Sequence, residues 1–416
     1  MEQKLAKHSL IMIFFTLLAG FFKYLYQLFM GRLLTPEEYG ILFSLISISY
    51  IIGVISASVQ TTMTKYTAQL KAKNEFSKLS YFWKYSLKKS FIFGIITTVL
   101  FFMITPFLSN YLHLSSQAPA LILFLSILFA YALPTNQGIL RGLQKFIPFG
   151  ITQTLWAFLN FTLGMAFVYL GFSVSGALAP FLIANVIVFI ISFYFLKDLI
   201  KIKPEPFKIP NLYKYSTLTL LALLTHTTSY SIDTILAKHY LTDFLAGIYS
   251  SVSVLGKIIL FAPGGIAVVL FPKASELKEK GLNHFNLFIK ALVLTIILTL
   301  PALMLFKLFP EIMIKLIFGE KYLKAIPYLF KYSLSMFFFA ISGLMMNYLL
   351  SLGVTRVSYS LTLTLIIEIV GITLFHQNIN QIVNVVLIAS ILSTIIQIPF
   401  LVKVGGDYEH RNIKKI

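Results

Sequence analysis

Apolar runs of roughly 20 residues recur along the whole chain, and short polar segments separate them. A helix of that length crosses the ~30 Å hydrocarbon core of a lipid bilayer. The pattern predicts twelve such helices, six in each half of the chain. In the first half they cover residues 10–30, 40–63, 90–108, 118–140, 151–170 and 175–195, and in the second half residues 215–236, 246–270, 291–309, 326–352, 357–374 and 382–402.

The composition supports a membrane-embedded fold. Of the 416 residues, 58% are hydrophobic and only 12% are charged, which is too little charge to cover the surface of a soluble protein. Cysteine is absent, so neither a disulfide framework nor a thiolate metal site is expected. The first apolar run is too long for the core of a signal peptide, and we expect it to remain as a helix. The predicted class is an all-α integral membrane protein.

The positive charge of the chain, +19 overall, is distributed unevenly. If the N-terminus lies in the cytoplasm, the twelve helices place 25 of the 34 Lys and Arg residues on the cytoplasmic side and 6 outside. The positive-inside rule therefore predicts a multi-pass protein of the cytoplasmic membrane with both termini in the cytoplasm. The lysines flank apolar helices in short loops, which argues against nucleic acid as a partner.

A basic segment with several prolines, residues 201–214, lies near the midpoint of the chain. It predicts a linker between two six-helix bundles, residues 1–200 and 215–416. Because six helices start each half on the same side of the membrane, the halves are predicted to be parallel repeats around a central cavity. A shift of 207 residues aligns identical residues in the two halves: Leu34-Thr35 with Leu241-Thr242, Gly40-Ile41 with Gly247-Ile248, Ser44 with Ser251, and Leu70 with Leu277.

Catalytic motifs are missing from the sequence, which contains no Gly-rich phosphate loop and no His-Glu-x-x-His pattern. The longest predicted external loop, residues 310–325, is too short for a catalytic domain. We therefore expect no enzyme, no cofactor and no metal site. The candidate functional groups are ionisable residues inside the predicted helices, because such residues are costly in lipid and usually face a cavity or a partner.

Three of these ionisable residues lie deep in predicted helices. Lys257, in the eighth helix, shares a face with Ser253, and it either lines a cavity or belongs to an ion pair inside the bundle. Glu368, in the eleventh helix, either carries a proton or a sodium ion or pairs with a buried lysine. Lys23, in the first helix, has Gln27 one turn further along the same face. It either lines the cavity, which we favour, or extends its ammonium group to the outer membrane surface.

The seventh helix is the most polar, and it places His226, Ser229 and Asp233 on one face. This face is either a proton relay or a set of structural polar groups. The 207-residue shift also aligns Lys23 with Tyr230, Asp233 with Tyr26, and Lys257 with Tyr50. Ammonium groups suit phosphate, and aromatic and hydroxyl groups suit sugar. The predicted substrate-binding residues are Lys23, Tyr26, Gln27, Tyr50, Tyr230, Ser253 and Lys257, and the candidate ion-coupling residues are His226, Asp233 and Glu368.

Three segments resemble a known family. Arg32-Leu-Leu-Thr-Pro-Glu-Glu-Tyr-Gly-Ile is similar to the opening signature of the polysaccharide flippases, a family of the multidrug/oligosaccharidyl-lipid/polysaccharide exporter superfamily. Gly138-Ile-Leu-Arg-Gly-Leu-Gln-Lys-Phe resembles the segment between its fourth and fifth helices. Asp233-Thr-Ile-Leu-Ala, with Ala246-Gly-Ile-Tyr-Ser, resembles its seventh-to-eighth helix region.

The resemblance implies alternating access and the flipping of a polyprenyl-diphosphate-linked oligosaccharide from the inner to the outer leaflet, for cell-surface polysaccharide or glycan synthesis. It also implies membrane lipids as surroundings and is compatible with glycan-assembly enzymes as partners. Related flippases of peptidoglycan precursors carry cations in their first and eighth helices, which Lys23 and Lys257 match. Those flippases usually have two further helices, which this chain lacks.

Two alternatives stay open at this point. An ion-coupled drug or metabolite antiporter of the same superfamily would have the same fold, although a cationic drug favours a net acidic interior. A membrane polysaccharide polymerase or ligase belongs to another class, and a catalytic domain or an acidic cluster at the outer face would support it.

Overall fold

The computed structural model describes residues 2–207, 216–280 and 282–404, and every regular element in these ranges is a helix. The chain divides into two compact units, Met1–Lys214 and Tyr215–Ile416. In lipid, a helix is favoured because it satisfies every backbone N–H and C=O group within its own segment.

The first unit is arranged around its fourth helix. This helix, α4, lies against α2, α3 and α6, while α5 packs against both α1 and α6. The helices of the unit are α1 (Glu2–Leu33), α2 (Pro36–Ala72), α3 (Phe76–Tyr111), α4 (Ala118–Gly142), α5 (Phe146–Tyr169), α6 (Ser173–Phe195) and the short α7 (Lys197–Ile200).

The second unit repeats this arrangement around α13. That helix lies against α9, α11 and α15, while α14 packs against both α8 and α15. The helices are α8 (Ser216–Tyr240), α9 (Asp243–Phe261), α10 (Gly264–Glu279), α11 (Phe285–Leu308), α12 (Pro310–Ile317), α13 (Ile326–Ser351), α14 (Val357–Leu374) and α15 (Ile379–Ile395), with a 3-10 helix at Glu320–Ala325.

The prediction of about twelve long helices is confirmed. Within the described residues, ten helical segments have the length and apolar composition to cross a membrane, and one of them is α9 and α10 taken together. The 32-residue α1 and the 25-residue α8 complete the set. The chain is thus a multi-pass, all-helical protein, and each unit uses the same pairing of its six long helices.

The predicted eighth helix, residues 246–270, is wrong as a continuous element. The structure ends α9 at Phe261 and starts α10 at Gly264. Pro263 explains the break, because proline lacks the N–H group that would continue the helix. Lys257 therefore lies one turn before a helix end, where the sequence predicted the middle of a long helix.

One other predicted segment differs from the structure, and a further one is only partly described. The external loop at residues 310–325 contains α12 and the 3-10 helix. The predicted linker, residues 201–214, is described only to residue 207, and residues 208–214 lie outside the described ranges.

The identities found by the 207-residue shift include a repeated helix cap. Thr35 begins α2 by accepting a hydrogen bond from the Glu38 backbone N–H at 3.2 Å, and the Glu38 carboxylate accepts one from the Thr35 N–H at 2.9 Å. Thr242 begins α9 in the same way, accepting from the Leu245 N–H at 3.5 Å. Threonine suits this position because its hydroxyl satisfies an N–H group that has no partner inside the helix.

A second contact is repeated in the two units. It joins the end of α2 to the end of α4 in the first unit, and the end of α10 to the end of α13 in the second unit. Lys71 donates to the Leu143 carbonyl at 2.7 Å, and Lys278 donates to the Leu352 carbonyl at 2.6 Å. Leu143 and Leu352 are the C-cap residues of α4 and α13, where carbonyl groups lack intrahelical partners and the helix dipole is negative. Lys71 and Lys278 are themselves 207 residues apart.

Candidate functional site

Asp233 lies at the centre of a buried polar network in the second unit. Its side chain projects from α8 and is fully buried. Its Oδ2 atom accepts hydrogen bonds from the hydroxyl groups of Tyr249, on α9, and Tyr332, on α13, each at 2.7 Å. Three helices of the unit therefore meet at one carboxylate.

Two further hydroxyl groups extend the network. Because Tyr332 donates its only hydroxyl proton to Asp233, its oxygen accepts from Ser253, which lies 2.8 Å away. The Thr234 hydroxyl is 3.1 Å from Ser253 and 3.3 Å from Oδ1 of Asp233. The hydroxyl donors thus converge on the Asp233 carboxylate.

Two more charged side chains are buried close to Asp233. Lys257 lies on α9, one turn beyond Ser253, and is 3% exposed, while Glu368 on α14 is fully buried. Lys257 lies within electrostatic reach of both Asp233 and Glu368, and the Ser229 hydroxyl lies beside the Glu368 carboxylate. Two carboxylates and one ammonium leave a formal charge of −1, which is expensive to bury. Binding one proton or one monovalent cation would neutralise it.

His226 lies on the same helix as Asp233 but packs elsewhere. Its ring contacts Phe339 and Tyr230 edge to face, with ring centroids 6.2 and 5.6 Å apart. A Cβ atom at Gly343, on α13, would lie only 2.7 Å from its Nε2 atom. Glycine at that position therefore lets α8 approach α13 closely beside the imidazole.

The first unit presents Lys23 on an exposed face. Its Nζ atom lies 5.8 Å from the ring centroid of Trp156, on α5, in a cation–π contact. The Trp156 indole N–H donates to Asn185, on α6, at 2.8 Å, which fixes the plane of the ring. The Lys23 side chain is exposed and Trp156 is half-buried, so an ammonium group and an oriented aromatic ring lie together at the surface of the unit.

The other predicted residues of the first unit have varied environments. Tyr26 is 4% exposed, and its hydroxyl donates to the Ala177 carbonyl at 2.9 Å. Gln27 is half-buried and accepts from the Tyr39 hydroxyl at 3.2 Å. Tyr50 is also half-buried.

A comparison with protein-family profiles assigns the chain to a family. The profile described as "Polysaccharide biosynthesis protein" matches residues 29–327. The chain belongs to the polysaccharide biosynthesis protein family. No curated protein sequence matches it.

Solved structures share the fold of this family member. An inward-facing multidrug resistance MATE family transporter of the MOP superfamily superposes with a TM-score of 0.81 at 14% identity, covering 93% of this chain and 96% of its own. A MOP superfamily transporter from Pyrococcus furiosus, reported to have a binding pocket of reverse polarity, gives 0.70 at 15% identity, with coverages of 97% and 96%. The lipid II flippase MurJ, in an inward closed conformation, gives 0.70 at 18% identity, with coverages of 94% and 87%. At these identities the likeness shows the fold alone.

The predicted site residues of this family member fall into two groups. Asp233, Ser253, Lys257 and Glu368 come together inside the second unit. Ser253 and Lys257 are buried beside the Asp233 network, and a substrate-binding role for them stays a prediction.

Tyr26 is buried against Ala177, and its predicted substrate-binding role is likewise untested. Lys23, Gln27, Tyr50 and Tyr230 keep exposed or half-buried side chains, and a substrate-binding role for them stays a prediction. The ion-coupling role of His226 likewise stays a prediction, and its ring packs against Tyr230 and Phe339.

Two residues of the network, Tyr249 and Tyr332, are not predicted from the sequence. Tyr249 follows the spacing i, i+4, i+8 with Ser253 and Lys257, so it could have been placed on their helix face. Tyr332 has no comparable signal, because its contact to Asp233 spans 99 residues.

Proposed function

We propose that this chain flips a polyprenyl-diphosphate-linked oligosaccharide from the inner to the outer leaflet of the cytoplasmic membrane, by alternating access, for the synthesis of a cell-surface glycan. The observation that carries this proposal is the family assignment over residues 29–327. The fold shared with a lipid II flippase is compatible with it. The orientation, with both termini in the cytoplasm, rests on the charge of the loops.

The exposed pair of Lys23 and Trp156 is the proposed contact for the polar part of the substrate. The ammonium of Lys23 would bind a phosphate oxygen, and the face of the Trp156 ring would pack against a sugar. Gln27 and Tyr50, in the same unit, complete the proposed set, because their side chains are not fully buried.

The charged network of the second unit is the proposed energy-coupling site. Asp233 is surrounded by donors, and Lys257 supplies one positive charge, so Glu368 is the carboxylate left to bind a proton. These groups lie on α8, α9, α13 and α14, so a change of charge at Glu368 would alter the interactions between packed helices. Lys257 thus moves from a proposed substrate contact to a proposed coupling residue.

An ion-coupled antiporter of drugs or metabolites is the second candidate. The observation in its favour is the TM-score of 0.81 to a multidrug resistance transporter. The two candidates differ in what they move, so a substrate assay separates them.

The experiment is reconstitution into liposomes with a fluorescent polyprenyl-diphosphate sugar, whose appearance in the opposite leaflet is measured by accessibility to a quencher. We expect the wild type to flip the lipid and Lys23→Arg to retain this activity. The flipping rate of Lys23→Ala and of Trp156→Ala should fall at least tenfold, which corresponds to about 1.4 kcal/mol of transition-state interaction. The matched control is Lys88→Ala, which removes an exposed lysine of α3. Transport of cationic dyes with no lipid flipping would support the antiporter instead.

A pH gradient across the same liposomes tests the coupling. We expect the gradient to accelerate flipping by the wild type and to have no effect on Glu368→Gln, which keeps the shape of the side chain but cannot lose a proton. If the gradient accelerates both equally, Glu368 is not the coupling group. If sodium replaces the pH gradient, the network binds a cation rather than a proton.

A further inference from the structure

One connection breaks the correspondence between the two units. In the first unit, α3 ends at Tyr111 and α4 begins at Ala118. In the second unit, α11 ends at Leu308 and α13 begins at Ile326, and α12 and the 3-10 helix lie between them. Because both units pair their long helices in the same way, the bundle does not require this additional segment.

The helix α12 is amphipathic. Ile314 and Ile317 are 0% and 7% exposed and pack against the bundle. On the opposite face, Ile312 and Leu316 are 55% and 61% exposed. A single residue, Phe309, separates α12 from Leu308, which is 65% exposed at the end of a membrane-spanning helix. The exposed apolar surface of α11 therefore continues onto α12.

Lysines surround this apolar surface. Between residues 307 and 324 the chain has four lysines and two glutamates, and one pair, Lys315 with Glu320, forms an ion pair at 2.9 Å. The ammonium of Lys307 lies 5.3 Å from the centroid of the Phe330 ring. Lysines beside aromatic rings at the end of a spanning helix are typical of the boundary between hydrocarbon and water.

The other two lysines of the segment have the same environment. The Nζ atom of Lys321 lies 5.6 Å from the ring centroid of Tyr322, and that of Lys324 lies 5.0 Å from the ring centroid of Phe244. With four lysines and two glutamates, the segment has a net charge of +2, and this charge lies beside the exposed apolar face.

We propose that residues 307–325 form an interfacial element that binds the surface of the membrane, with Ile312 and Leu316 in the boundary between headgroups and acyl chains and the lysines on anionic phospholipid headgroups. The exposed apolar face continues from a lipid-facing helix, and the charge is complementary to such headgroups. The inference does not depend on the transported substrate.

Nitroxide labelling measures the depth of α12 directly, because the natural chain has no cysteine. Single variants Ile312→Cys and Leu316→Cys, with Glu311→Cys as the control, are labelled and placed in phosphatidylcholine nanodiscs containing 25% phosphatidylglycerol. We expect labels at 312 and 316 to be accessible to oxygen and protected from a water-soluble nickel complex, and the label at 311 to show the reverse. Equal exposure of all three labels to the nickel complex would overturn the proposal.

The role of the lysines is tested by lipid composition. We expect the label at residue 316 to lie deeper with phosphatidylglycerol than in pure phosphatidylcholine, and this difference to diminish at high salt, which screens surface charges. Changing the four lysines, Lys307, Lys315, Lys321 and Lys324, to glutamine should abolish the difference, and changing them to arginine should preserve it. A label depth that is the same in both lipids for the wild type would contradict the anionic-lipid part, whatever the stability of the variants.

Discussion

The two units of this chain share one helix arrangement but have different interiors. In the first unit, the buried polar groups are neutral: Trp83 donates to Asn136 at 2.8 Å, and Asn136 donates to Ser192 at 2.7 Å. Among the residues whose burial the structure describes, the buried charged side chains all lie in the second unit, and they are Asp233, Lys238, Lys257 and Glu368.

This difference separates the requirements of the fold from those of function. A neutral network of amides, indoles and hydroxyls satisfies the polar groups between packed helices without burying charge. The first unit shows that the helix pairing needs nothing more. Charges inside a membrane helix bundle are costly, so their concentration in one of two similar units indicates a role beyond folding.

The largest effect is expected from removing Asp233. Asp233→Ala leaves the hydroxyls of Tyr249 and Tyr332 without their acceptor and takes one carboxylate from Lys257, so we expect a loss of about 3–5 kcal/mol in the free energy of unfolding. The matched variant in the first unit, Asn136→Ala, leaves only neutral partners and should lose about 1–3 kcal/mol. Unfolding in detergent by a denaturant measures both.

Equal losses of unfolding free energy in Asp233→Ala and Asn136→Ala would contradict the comparison. Removing a group from the charged interior would then cost no more stability than removing one from the neutral interior. Asp233→Asn is the control for size. Its amide oxygen can still accept from the tyrosine hydroxyls, so it should lose less than Asp233→Ala.

The next effect tests the similarity of the units rather than their difference. Lys71→Met and Lys278→Met each remove a charged hydrogen bond to the C-cap carbonyl of the fourth helix in their unit. Both lysines are partly solvent-accessible, so we expect only about 1 kcal/mol from each. Lys88→Met, on an exposed part of α3, is the control and should be near neutral.

The two losses, measured by denaturant unfolding, should agree with one another and add in the double variant, since the sites lie in separate units. A loss in only one of them would show that the repeated contact has kept its structural role in one unit alone.

Much of this arrangement is predictable from the sequence. Hydropathy and length predict the twelve long helices because the bilayer fixes the span, and the aligned threonines, Thr35 and Thr242, begin equivalent helices because capping is a local interaction. Pro263 is a helix-breaking residue in the sequence, but apolar residues continue on both sides of it, so hydropathy alone predicts one continuous helix there. Contacts between distant helices have no such local signal.

The orientation of Lys257 illustrates the limit. Its helix turns 100° per residue, so Ser250 and Tyr249 are both compatible with a face that includes Lys257. Only packing against α8 and α13 decides which face is internal, and this packing places Lys257 within electrostatic reach of Asp233 and Glu368.

A smaller effect is expected at the helix caps. Thr35 has a reciprocal capping box with Glu38, whereas the hydroxyl of Thr242 makes a single, longer bond. Thr35→Ala should therefore lose about 1 kcal/mol and Thr242→Ala only a fraction of that. Unfolding in detergent measures both losses, and Thr35→Ser and Thr242→Ser, which retain the hydroxyl, are the controls. A larger loss at Thr242 would indicate that the second cap supports the charged network as well as its helix.

The smallest effect concerns pH and again distinguishes the units. His284, between α10 and α11, is 7% exposed and lies 2.7 Å from the Tyr348 hydroxyl. Burial and, secondarily, the charge of Lys278 lower the pKa of His284 below its usual value of about 6.5. Above that value the imidazole is neutral in both the folded and the unfolded chain, so it adds no pH dependence.

As the pH falls below about 6.5, the unfolded chain binds a proton at His284 more readily than the folded chain, and the stability of the second unit decreases. We therefore expect the wild type to lose more thermal stability between pH 7.5 and 5.5 than His284→Gln, which stays neutral and can still hydrogen-bond Tyr348. Melting of both proteins in detergent at the two pH values measures this difference. The reverse order would mean that protonated His284 stabilises the fold, so that burial and the charge of Lys278 do not govern its protonation.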